Sequence, residues 1–111
     1  MVLHDSTYAA LALSAILDQA TERLGYDWGY CTGNLGQHTA EGRQFCIRIT
    51  NRVNVRSVDY IYGRPCLRSF EARESVIIWA LAFIDSCGYR IHDINYHAWI
   101  QMYVVVHPPP N

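Results

Sequence analysis

The stretch RQFCIRITNRVNVRSVDYIY, residues 43–62, decides the fold. Phe45, Ile47 and Ile49 alternate there with Cys46, Arg48 and Thr50, the period of a strand with one buried face. Val55 to Tyr62 is a second run, rich in β-branched and aromatic residues. Asn51-Arg52-Val53-Asn54 between them has the chemistry of a turn. A four-residue turn pairs Thr50 with Val55. Ile47 then falls opposite Val58 and Phe45 opposite Tyr60 on the buried face, with Cys46 opposite Asp59 and Arg48 opposite Ser57 on the other. In that register Arg48 and Asp59 are diagonal neighbours able to form an ion pair.

Helical patterns flank this hairpin. Asp5 and Ser6 are good N-cap residues, and Thr7 to Leu24 carries Leu13, Ile16, Leu17, Ala20 and Leu24 at helical spacing, with Gly25 as the stop. Tyr26, Trp28 and Tyr30 alternate, predicting a strand over about 26–32, and Thr32 to Gly42 reads as a loop. On the other side Gly63 and Pro65 end the sheet, and Ser69 is placed to cap a helix running to about Ser86, with Gly88 beyond it. Tyr89 to Tyr96 is ambiguous. Ala98 to His107 predicts a last strand, and three prolines follow at 108–110. The expected architecture is α+β, two helices on an antiparallel sheet of about four to five strands in the order α-β-β-β-α-(β)-β. Residues 1–107 are expected to form a single domain, with 108–111 as a Pro-rich tail.

Composition excludes several classes. Half of the 111 residues are apolar and only 17% are charged, against about 25% in an average globular protein, so disorder driven by charge is excluded. No run approaches the length of a membrane span. Net charge is −1, too small to steer the whole molecule toward a polyanion. The charge is segregated, however. Residues 43–73 hold seven of the nine arginines and only Asp59 and Glu71 as acids, and lysine is absent throughout. Cys31, Cys46, Cys66 and Cys87 are 15, 20 and 21 residues apart, a spacing that fits no zinc signature. Without a visible leader they read as free thiols in a reducing, cytoplasmic setting.

The helix–strand–strand–strand–helix order resembles that of double-stranded RNA-binding domains, and residues 43–53 resemble that family's middle strand. Where the family grips phosphate with lysines, Arg68 to Glu74 carries two acids and no lysine, so no functional residue is carried over.

Three functions are weighed. The leading expectation is a non-enzymatic protein-interaction module without a cofactor. It is expected to be a homodimer, or a small adaptor or inhibitor of the size and layout of phage- or virus-encoded anti-defence proteins. Its basis is the nine-residue apolar run Val76 to Ile84. On a helix that run makes an apolar arc about 200° wide, roughly twice what one sheet covers. Trp79 and Phe83, with Tyr26, Trp28 and Tyr30, are the expected interface, since Tyr, Trp and Arg are enriched at hot spots. The alternative is RNA or DNA binding through Arg48, Arg52, Arg56, Arg64 and Arg68, with Tyr60 or Tyr62 stacking on bases. The third is a hydrolase or metal site at His92, Asp93 and His97, residue types able to do acid–base or ligand chemistry. No nucleophile elbow or phosphate-cradling loop is present. No membrane partner is expected.

Overall fold

The computed structural model describes residues 6–33 and 36–87. Helix α1 spans Ser6–Leu24. Gly25 ends it in the left-handed region at φ 73°, its N–H donating to the Glu22 carbonyl at 3.2 Å, the conformation for which a helix C-terminus favours glycine. Strand β1 is Tyr26–Tyr30, β2 Gln37–Thr39, β3 Gly42–Gln44, β4 Cys46–Asn51 and β5 Val58–Tyr62; α2 is Ser69–Ser86.

The fold is α+β, as expected, with the strands of the described residues divided between two antiparallel sheets. One is three-stranded in the order β1-β4-β5, and the other is the small β2-β3 hairpin. That hairpin occupies the stretch expected to be loop. Its turn is held by Thr39 Oγ1, which donates to the Gly42 carbonyl at 2.7 Å and accepts from the Glu41 N–H at 3.2 Å. The element order from 6 to 87 is therefore α-β-β-β-β-β-α. The expected segments at 89–96 and 98–107, and the tail, lie outside the described residues.

The central hairpin forms in a different register from the one expected. Thr50 pairs with Val58, Arg48 with Tyr60 and Cys46 with Tyr62. The connection is longer than four residues because two asparagine side chains build it. Asn51 Oδ1 accepts from the N–H groups of Val53 and Asn54, and Asn54 Oδ1 from that of Arg56. Sliding the pairing by an odd number of residues exchanges the faces of the second strand. Ile61, rather than Val58 and Tyr60, therefore shares the inner face with Ile47, and Arg48 and Asp59 lie on opposite faces without an ion pair.

The inner face of the sheet meets both helices. Leu13, Leu17 and Ala20 from α1, Phe45, Ile47 and Ile49, and Ala72, Val76, Ile77, Ile78, Ala80, Leu81 and Ile84 from α2 form one buried core. Helix α2 packs on α1 and on β3, β4 and β5. Its buried positions run nearly all the way round its axis, as expected of a helix that is apolar on all sides. Most of the wide apolar arc is thus taken up inside the chain. Trp79 and Phe83 are half-buried, Phe83 against the core. The helix begins without a side-chain cap: Arg68, in extended conformation, occupies the N-cap position expected for Ser69.

Candidate functional site

With both helices on one side, the other face of the three-stranded sheet carries Asp27 and Gly29 from β1, Cys46, Arg48 and Thr50 from β4, and Val58, Tyr60 and Tyr62 from β5. Alternation and register alone put them there. Tyr60 is 59% exposed and Tyr62 54%. Arg48, directly opposite Tyr60, is exposed as well, and it makes no ion pair among the described residues. The acid on this face, Asp27, is held by Arg52, whose Nε donates to Asp27 Oδ1 at 2.9 Å. The face therefore combines two neighbouring aromatic rings, an unpaired guanidinium and a neutralised carboxylate.

Arg52 does structural work at the end of the sheet. Its Nη2 donates to Glu22 Oε2 at 2.6 Å, and its backbone N–H donates to the Gly25 carbonyl at 3.0 Å. One residue of the β4–β5 loop thereby clamps the end of α1 and the start of β1. The Arg52 guanidinium holds the Glu22 carboxyl below its ordinary value, by hydrogen bonding first and by charge second. A depressed carboxyl pKa stabilises the fold above the ordinary glutamate range, and that contribution disappears as pH falls through the depressed value. Both acids are solvent-exposed, so Arg52→Ala is expected to lower the melting temperature only slightly at neutral pH and low salt. The deficit should vanish in acid and in high salt; a deficit independent of both would place the role of Arg52 in packing.

The other arginines of residues 43–73 are distributed over several elements of the chain. Arg73 stacks its guanidinium over the rings of Phe45 and Tyr30, at 5.1 and 5.6 Å from their centroids, and Arg68 lies 5.9 Å over Phe70. Arg56 is exposed on the β4–β5 loop, and Arg64 is exposed just past β5. Tyr26, Trp28 and Tyr30 lie on the inner face, paired with Asn51, Ile49 and Ile47. Trp28 is half-buried and donates from Nε1 to Asp18 Oδ1 at 2.7 Å, tying β1 to α1. Tyr30, at the rim, meets Trp28 and Phe45 edge-on, each at 5.5 Å, and burial raises its hydroxyl pKa.

A pair of thiols stands at the end of the open face. The β1–β4 register continues one step beyond the strand, with the Cys31 N–H donating to the Cys46 carbonyl at 2.9 Å. The two sulfurs are 3.3 Å apart. The spacing pattern missed this pair, since nothing in it shows that β1 is the neighbour of β4. Once that neighbour is known, pairing Tyr30 with Ile47 makes Cys31 and Cys46 opposite partners.

Among the described residues no three His, Cys, Asp or Glu side chains are grouped to hold a metal ion, and no helix is long and apolar enough to cross a membrane. His92, Asp93 and His97 lie outside the described residues. Comparison of the chain with protein-family models, curated proteins and solved structures finds no match.

Proposed function

We propose that the chain is a binding module that takes single-stranded nucleic acid on the open face of its sheet. The observation that carries this reading is the juxtaposition of Tyr60, Tyr62 and Arg48 on a face that the helices leave uncovered. Aromatic rings standing on a sheet stack on unpaired bases of any sequence, and a neighbouring guanidinium meets the phosphates. Arg56, on the adjoining loop, extends the positive charge beyond the sheet. Tyrosine and arginine also serve protein interfaces, so the steep salt dependence that counterion release from phosphates imposes is what separates the two kinds of partner.

Fluorescence anisotropy with a labelled oligothymidylate or oligouridylate of about twelve nucleotides tests it, starting at ~50 mM salt, where electrostatic binding is strong. Tyr60→Ala and Tyr62→Ala are each expected to weaken binding about tenfold, within the ~1–3 kcal/mol per stacked base, while leaving the melting temperature unchanged. Arg48→Ala should weaken binding and flatten its salt dependence by about the share of one phosphate. Absence of binding at low salt, or binding indifferent to both tyrosine substitutions, would end the proposal. Sedimentation showing self-association that Tyr60→Ala abolishes, without oligonucleotide binding, would instead assign the face to a second copy of the chain.

A further inference from the structure

We infer that Cys31 and Cys46 are a redox-active pair that closes reversibly into a cross-strand disulfide. The backbone is already in place. Directly opposed residues of antiparallel strands have Cα atoms about 4.5–5.5 Å apart, inside the roughly 4.4–6.8 Å that a disulfide spans. The Cys31 N–H to Cys46 carbonyl bond fixes that opposition at 2.9 Å. The sulfurs, 3.3 Å apart, need to approach by only about 1.3 Å to reach the bonded length of ~2.05 Å, a movement that small side-chain rotations supply.

The two thiols have different surroundings, which assigns them different tasks. Cys31 is exposed and Cys46 buried. Burial, and next the adjacent Cys31 sulfur, push the Cys46 thiol up to about 11. The attacking thiolate is therefore Cys31, which solvent-borne reagents can reach. Against a small-molecule disulfide such as oxidised glutathione, the Cys31 thiolate bonds to one sulfur and expels the other half as a thiolate. The Cys46 thiolate then bonds to the Cys31 sulfur and expels the second half. Two protein thiols and one reagent disulfide become one protein disulfide and two reagent thiols, with two electrons passing from the protein to the reagent. The second step requires deprotonation of Cys46, so it accelerates with rising pH. Reduced glutathione in excess reverses both steps.

The Tyr62 side chain, hydrogen-bonded to the Cys46 thiol, belongs to both surfaces, but the inference does not rest on the proposed function, because its readout is a covalent bond. The whole chain is equilibrated in glutathione buffers of graded ratio, quenched by acid and alkylation, and mapped by peptide mass spectrometry. The expected result is a Cys31–Cys46 linked peptide whose yield rises with the proportion of oxidised glutathione and falls again on return to the reduced buffer. Cys46→Ser is expected to halt the reaction with one glutathione on Cys31, and the circular dichroism of that variant checks that it is folded. Oxidised wild-type protein carrying separate glutathiones on Cys31 and Cys46, or linking either of them chiefly to Cys66, Cys87 or another molecule, would overturn the inference.

Discussion

Phe45→Ala is expected to remove about 3–5 kcal/mol of stability, the range for deleting a buried aromatic ring. Phe45 is fully buried and occupies the single residue between β3 and β4, where the two sheets meet. Its carbonyl accepts from the Gly63 N–H at 3.1 Å. Its ring meets Tyr30 edge-on and lies under the Arg73 guanidinium. Losing the ring creates a cavity and also removes the aromatic face over which a partly buried cation sits, a contact worth about another 0.5–2 kcal/mol. For a chain of this size, each kcal/mol moves the melting temperature by about 4 °C, so a fall of at least about 12 °C is expected. Phe45→Leu, which refills part of the volume, should lose distinctly less. Denaturant unfolding with an unchanged slope is the proper measurement. A loss below about 1 kcal/mol would mean that the ring is not the joint between the sheets.

Gly63→Ala is the second large effect, and its cause is the reverse, too little room. A methyl group on Gly63 would stand 2.6 Å from the Val76 backbone nitrogen and 2.7 Å from its Cα. The obstacle is the body of α2, and the junction is pinned from both sides. Gln44 Nε2 donates to the Gly63 carbonyl at 2.9 Å, and the Arg64 N–H donates to Ser75 Oγ at 2.8 Å. Neither strand nor helix can recede without breaking these bonds. The expected cost is about 3 kcal/mol, the upper part of the range for overpacking. Gly29→Ala supplies the control, since a methyl group there meets nothing within 4 Å. Equal stability of the two variants in parallel melts would show that β5 and α2 are free to separate.

Both helices were legible because about eighteen residues give helical periodicity many chances to repeat. Helix α2 ends where expected and begins one residue earlier, with Arg68 in place of Ser69 at the cap. The β4–β5 hairpin was legible as a hairpin, but its register was not. Register depends on whether Asn51 and Asn54 turn their side chains back onto the loop backbone, and composition does not count the residues such a loop absorbs. Register decides more than geometry: a four-residue turn puts Tyr60 inside and Arg48 beside Asp59, whereas the longer loop brings Arg48 and Tyr60 out together on the face where the proposed function rests. The β2–β3 hairpin escaped because strands of three residues offer too few positions for alternation to show. Among the arginines, Arg48 and Arg52 are identical as letters. Among the described residues one makes no ion pair, on the sheet face away from the helices, and the other is held by Glu22 and Asp27; the difference lies in which elements the topology brings beside each.

The central position of α2 has a consequence for synthesis. As the polypeptide leaves the ribosome, Ile47, Ile49 and Ile61 arrive after α1 but before α2, the two described helices that cover them. The fully apolar segment that must fill the middle follows after residue 69. Until then the half-assembled sheet offers oily strands to every neighbouring polysome, which is the condition under which chaperones are recruited. Chains stalled so that residues up to 66 have cleared the exit tunnel should be bound by them, and chains stalled so that residues up to 87 have cleared it should be released.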